Sequence, residues 1–182
     1  MTEVGERYGR IADAFDVRLV GIGPEQWDVP TPCNEWDVKA LVDHVIRTHE
    51  QVLAGVGGAA AEGQPAAALG DRWSAATEQV RAALSDPASA STTVSGMFGE
   101  QPFESLVSRL LCADTLFHTW DLARATGQDE RLDPDGVVMA MEFLTPLDEA
   151  IRRPGGFAPK IEPATGADPQ TRLLNFGGRS VD

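Results

Sequence analysis

Three histidines and two cysteines are all that this 182-residue chain offers to metal or thiol chemistry. The cysteines, Cys33 and Cys112, lie far apart and form no C-x-x-C pair, which excludes a zinc ribbon and leaves no disulfide framework. Basic residues are scarce too: 15 Lys+Arg stand against 28 Asp+Glu, a formal net charge of −13. That balance lacks the clustered Lys/Arg that neutralise phosphates, so neither nucleic acid nor membrane is expected as a partner. No stretch approaches the roughly 18–20 consecutive apolar residues of a bilayer span. The segment Met1–Glu6 is polar and acidic, unlike the basic start and apolar stretch of a secretory signal. A cytoplasmic protein with reduced thiols is therefore expected. G-x-G-x-x-G, the Walker lysine loop, G-x-S-x-G and H-E-x-x-H are all missing, so nucleotide and redox-cofactor chemistry have no foothold.

What is present reads as a folded helical protein. Hydrophobic residues make up 42% and charged residues 24%, too apolar for disorder, and the length suits one domain over 1–182. Residues 6–22 place Ile11, Phe15, Val17, Leu19 and Ile22 at roughly helical spacing, closed by Gly21, Gly23 and Pro24. A second helix is expected to start at an Asn34 cap and carry Val38, Leu41, Val42, Val45, Ile46, Val52 and Leu53 to about residue 55. Gly55 to Gly70 reads as a loop or a loosely specified helix end, and Asp71 to Leu84 as a third helix with Trp73, Ala76, Val80, Ala83 and Leu84 inward. Thr92 to Val94 suits a short extended piece. A long fourth helix runs from Phe103 to about Thr126, with Gly127 as its stop. A fifth starts at Asp133-Pro134-Asp135 and reaches about Ile151. From 153 to 182 the chain is rich in glycine and proline, an irregular tail or strap. Four long helices and an extra one predict an all-α bundle.

The histidines carry most of the functional argument. On the fourth helix Asp114 lies four residues before His118 and Asp121 three after it. At 100° per residue the three fall within about 60° of one another, on one face. His and carboxylate at i, i+4 can present two metal ligands to a bundle interior. The stripe continues to Arg124, which can hold an anionic group or pair with an acid. Acids are common in this chain, so the spacing alone is compatible with a surface histidine. The neighbours argue otherwise: Leu110, Leu111, Leu116, Phe117, Trp120 and Leu122 make the helix apolar around most of its circumference, so the polar face should be buried or line a cleft. His44, among Leu41, Val42, Val45 and Ile46, suits either a third ligand or a hydrogen-bonded core histidine. His49, within Arg47-Thr48-His49-Glu50-Gln51, reads as a surface residue. Cys33 precedes a helix start, but no histidine lies beside it to act as a base; Cys112 reads as packing.

Two blocks resemble a known family. Thr31-Pro32-Cys33-Asn34-Glu35-Trp36, followed by Leu41-Val42-Asp43-His44, is similar to the TPC-x-x-W…L-x-x-H signature of the mycothiol-dependent maleylpyruvate isomerase N-terminal-domain group. Asp114 to Gly127 resembles that group's D-x-x-x-H-x-W-D-L-A-R-A-T-G block. The stretch Ala167 to Leu174 resembles the ending of a compact actinobacterial branch, and the likeness runs from about Tyr8 to Arg179. The group belongs to the DinB/YfiT-like superfamily of metal-binding proteins. The resemblance implies a DinB-like four-helix bundle holding a divalent metal, zinc or nickel, through His44, Asp114 and His118. It also implies a low-molecular-weight thiol, mycothiol, used in S-transfer or isomerisation on a small-molecule electrophile. This chain departs from the isomerase in carrying Asp114 where that enzyme has Glu, and no counterpart of the isomerase's C-terminal domain is expected here apart from the tail.

The leading expectation is a metal-dependent, thiol-using enzyme in which Asp121 and Arg124 support the metal ligands or orient substrate. The alternative is a non-catalytic metal- or ligand-binding module of the same fold, or a scaffold that forms a homodimer. A third reading leaves His44 and His118 as core residues without metal. Room around the site separates them: an open cleft between His44 and His118 favours the enzyme, whereas Trp36, Phe117 or Trp120 filling that space counts against it.

Overall fold

The computed structural model describes residues 2–33, 36–58, 69–96, 98–152 and 156–181. Helix α1 spans Glu3–Val20 and starts where Thr2 Oγ1 accepts the Gly5 N–H at 3.2 Å, with Glu3 and Glu6 in the first turn beside the positive end of the helix dipole. Tyr8, Ile11, Ala12, Phe15 and Leu19 form its buried face, whereas Val17 is 62% exposed despite fitting the expected apolar set.

Helix α2, Val38–Ala54, is capped by Asp37, whose side chain accepts the Ala40 N–H at 2.8 Å. The sequence pointed to Asn34, which lies outside the described residues. The cap falls later because the preceding chain is held as a tight loop. Thr31 Oγ1 donates to the Trp36 carbonyl at 2.9 Å and accepts the Cys33 N–H at 3.2 Å, and the Trp36 N–H reaches the Cys33 carbonyl at 2.9 Å. The Thr-Pro-Cys-x-x-Trp block is thus a device for presenting Trp36 at the head of α2.

Helix α3 covers Leu69–Ser85 and buries Trp73, Ala76, Val80 and Leu84 as expected, whereas Ala83 is only partly buried. The expected loop from Gly55 to Gly70 lies mostly outside the described residues, at 59–68. A short helix α4 (Pro87–Ser91) leads into an antiparallel hairpin, β1 (Thr93–Gly96) against β2 (Gly99–Pro102), with Thr93 opposite Pro102. The extended piece expected near Thr92 is its first strand.

The long fourth helix is continuous from Phe103 to Thr126 but not uniform. It comprises α5 (Phe103–Leu106), a π-helical turn at Val107–Leu111 and α6 (Cys112–Thr126). Gly127 ends it at φ +71°, a conformation that glycine adopts without a Cβ penalty. Helix α7, Pro134–Leu144, is capped by Asp133, which accepts the Gly136 N–H at 2.8 Å, and a 3-10 helix continues it over Thr145–Ile151.

The tail holds a helix that its composition concealed. Helix α8, Pro169–Phe176, has Asp168 as cap and proline at its first position, and Gly177 and Gly178 follow its last turn. In this stretch the prolines and glycines mark the ends of an element rather than the lack of one.

Helix α1 packs on α6 and α3, and α2 packs on α3 and α6, so the four close a ring. Helix α7 lies against α6 and α1, and α8 against α7. The interior is aliphatic and aromatic: the Phe15 and Trp73 rings meet at 4.7 Å, and Val42, Val45, Ile46, Val80 and Leu116 are buried around them. Each such side chain contributes about 1.5–3 kcal/mol by leaving water. Among the described residues no helix is long and apolar enough to cross a membrane.

Candidate metal centre

At one end of this ring α2 and α6 bring three of the expected side chains together. His44 Nε2 stands 3.1 Å from Asp114 Oδ1, and His118 Nε2 stands 3.5 Å from the same oxygen. The two imidazole rings meet edge to face with centroids 5.0 Å apart. One ligand atom from each of the three residues lies within 4.8 Å of the others, and among the described residues this is the only such group of His, Cys, Asp or Glu. Two neutral imidazoles and a carboxylate are a donor set suited to a divalent first-row metal with coordination positions left over.

A second observation tests that fit. Asp114 Oδ2 is buried and has no hydrogen-bond donor among the described residues. A buried carboxylate oxygen left unpartnered costs free energy, and a cation between the two imidazoles would remove that cost. Without a cation the histidines partly serve instead. Burial alone would raise the Asp114 carboxyl, but His118 and His44 outweigh it and hold Asp114 well below the usual carboxylate range. Burial alone would lower His118, but Asp114 and Asp121 outweigh it and push it up to about 9.

Asp121 supports this arrangement from below. Its side chain is 0% exposed, and its Oδ2 lies 3.1 Å from His118 Nδ1. An ionised carboxylate can only accept, so Nδ1 carries the proton and Nε2 faces Asp114. Arg179, from the chain beyond α8, donates to both Asp121 oxygens, Nη2 to Oδ2 at 2.9 Å and Nε to Oδ1 at 3.3 Å. The sequence reading did not single out Arg179. Its one local signal is the Gly177-Gly178 pair before it, which reads as a helix stop once α8 is recognised.

Trp36 forms one wall, with its ring 4.3 Å from that of His44 and 5.5 Å from that of His118. Phe117 packs elsewhere, against Phe157 and Arg179, and Trp120 stacks with Arg124. The His44 side chain remains 33% exposed, so the cluster meets solvent on the His44 side. Arg124 is engaged with an acid: its Nε lies 2.8 Å from Glu130, and its guanidinium stacks 4.8 Å over Trp120. Those contacts turn it toward the connection between α6 and α7.

His49 corrects the sequence reading. It was expected at the surface and is 0% exposed, its Nδ1 donating to the Val45 carbonyl at 2.8 Å and its ring set between Tyr8 and Trp73. The polar neighbours misled because Glu50 is not solvated: Arg72 of α3 grips both its oxygens, at 3.1 and 2.8 Å, and reaches Asp43 at 2.7 Å. Cys112 is buried and its thiol is pushed up to about 12 by burial, as a packing residue should be. Neither cysteine forms a disulfide.

A predominantly helical bundle with a His/Asp/His cluster between two of its helices is the class defined by this fold and site. The chain belongs to the mycothiol maleylpyruvate isomerase N-terminal domain family, whose model matches residues 8–123 and so covers His44, Asp114, His118 and Asp121. Its fold is accordingly the all-α, DinB-like bundle. It is 34% identical to uncharacterised proteins of two Mycobacterium tuberculosis strains, H37Rv and CDC 1551, over 94% of this chain and 95% of each relative. No solved structure matches it.

Proposed function

We propose that the protein is an enzyme that binds a divalent metal ion, zinc or nickel, through His44, Asp114 and His118. In this reading it uses mycothiol in S-transfer to, or isomerisation of, a small electrophile. The observation that carries the proposal is the convergence of these three donors, both imidazoles on Asp114 Oδ1, with Asp114 Oδ2 buried and unpartnered among the described residues. A cation held there supplies a Lewis-acid centre that lowers the pKa of a thiol and keeps it as thiolate. The remaining work falls to the chain. Asp121 accepts the Nδ1 proton of His118 and leaves Nε2 available as a ligand. Trp36 shields one side of both imidazoles from water. The exposed edge of His44 leaves a way in for the thiol and the electrophile. Arg124 would have to leave Glu130 before it could orient a substrate.

Metal analysis of protein purified without chelators or a histidine tag tests the first half. Near-stoichiometric zinc or nickel is expected in the wild type and none in His118→Ala. Thiol-transfer assays against a panel of electrophiles, with and without mycothiol, test the second; a metal-free wild type that retained full activity would overturn the proposal. One observation favours the non-catalytic binding module instead: Trp36 already occupies space against both imidazoles. Stoichiometric metal with no turnover across the panel would establish that reading.

A further inference from the structure

We infer that Arg179 is a positioning residue for the metal centre: its guanidinium fork fixes the Asp121 carboxylate, and Asp121 in turn fixes the His118 imidazole. The inference rests on the metal-binding reading above and extends it to a part of the chain beyond residues 8–123, which the family model matches.

The geometry begins in the backbone after α8. Gly178 sits at φ +79°, the Gly178 N–H returns to the Asn175 carbonyl at 3.0 Å and the Arg179 N–H to the Leu174 carbonyl at 2.9 Å. These two bonds are the paired reversal of a Schellman turn, which folds the chain back along the helix it has just left. Glycine is needed at both positions of the reversal. A Cβ on Gly177 would collide with the Phe117 ring, and one on Gly178 would meet Ala158 in a backbone conformation that L residues rarely adopt. The turn therefore delivers Arg179 inward. Asn175 secures it by donating from Nδ2 to the Arg179 carbonyl at 2.9 Å.

Once inside, the guanidinium has little freedom. It lies 5.0 Å over the Phe117 ring and 5.8 Å from that of Phe157, and Nη1 donates to the Gly177 carbonyl at 2.8 Å. Its other two nitrogens meet the two Asp121 oxygens. A planar fork that takes both oxygens sets the rotation of a carboxylate as well as its position, which a point charge does not. That rotation places Oδ2 opposite His118 Nδ1, and the imidazole is held with Nε2 directed at Asp114. Groups that orient a metal-binding histidine commonly change metal affinity by about 10–100-fold when removed.

The test uses the full chain, Zn2+ as the probe, and two readouts other than turnover. The first is Zn2+ affinity measured by competition with a chelator. The second is the Nδ1–H proton of His118 in zinc-free protein, expected as a slowly exchanging downfield resonance while Asp121 holds it. Arg179→Met should weaken Zn2+ binding by about 10–100-fold and abolish the protected resonance, with helical circular dichroism unchanged. Arg179→Lys keeps the buried charge without the fork and should fall between the two; it decides the matter if Arg179→Met does not fold. Arg152→Met is the control. Arg152 also ties down the tail, donating to the Phe176 carbonyl at 2.9 Å and stacking on the Phe176 ring at 4.9 Å, yet its contacts are with the tail and Asp148 rather than with the site. It should leave both readouts unchanged. Wild-type affinity in both Arg179 variants overturns the inference and leaves the metal reading standing, and so does an equal loss in Arg152→Met. A wild type that binds no Zn2+ but loses the protected proton in Arg179→Met overturns the metal reading while the positioning role stands.

Discussion

His44 and His49 stand five residues apart on the same helix and meet opposite fates. His44, flanked by aliphatic residues in sequence, keeps a third of its side chain in solvent and faces a carboxylate. His49, flanked by polar residues, is fully enclosed and faces two aromatic rings. Five residues turn a helix by about 140°, so the two cannot share a face. His49 falls on the stripe of Val42, Val45 and Val52, which the ring of helices closes over. Its Nε2 and the nearby Tyr8 hydroxyl both lack hydrogen-bond partners among the described residues. Burial pushes His49 down to about 4, whereas the acids around His118 push that imidazole up. One face of α2 therefore meets the His/Asp/His cluster and another serves packing, and adjacent residues in sequence do not announce which.

That contrast can be broken from either side. The largest effect is expected at the cluster, where on the proposed metal-binding reading His118→Ala should reduce bound metal to trace levels while the helical signal persists; elemental analysis beside circular dichroism checks both halves. On the packing side, Arg72→Met leaves Glu50 and Asp43 without their shared cation. Removing one partner of a buried ion pair typically costs about 3–5 kcal/mol, which should appear as a lower urea midpoint.

A smaller effect comes from His49 itself. Its folded value lies below the ordinary 6.5, so the folded state resists protonation that the unfolded chain accepts. The stability it contributes is complete above about pH 6.5 and is lost as pH falls toward 4, by about 3 kcal/mol. Unfolding curves across that window should show the loss in the wild type and a flatter profile in His49→Gln. His118 has the opposite sign in metal-free protein: its contribution is present below about pH 6.5 and fades as pH rises through about 9. The smallest effect is expected for Arg124→Met, whose partner Glu130 is 36% exposed; such pairs contribute at most about 1 kcal/mol, and metal content should not change.

Much of this was legible in the residues. The ring helices follow from apolar spacing, and the Asp133-Pro134 start and Gly127 stop are where capping chemistry puts them. The pairing of Asp114 with His118 followed from i, i+4 geometry within one helix. What could not be read locally depends on other elements. His49 required knowing that α3 supplies Arg72 to neutralise Glu50. Helix α8 was hidden because its caps look like loop composition. Arg179 lies 58 residues from Asp121, and only the folded tail brings them together.

The π turn at Val107–Leu111 lies just upstream of the ligand stripe. A π turn accommodates one more residue than an α turn, so the side chains that follow are rotated by about 100° relative to an unbroken helix. Phe103 and Leu106 before it and Leu116 and Phe117 after it are buried, so both halves of this helix face the interior across the extra residue. A single-residue deletion between 107 and 111 is taken up by closing the π turn to an α turn, which keeps Asp114, His118 and Asp121 on the line to His44. The arrangement of the cluster is therefore encoded in the spacing of the polypeptide as much as in the identity of its side chains, and the π turn is where this helix can lose a residue without turning them away from His44.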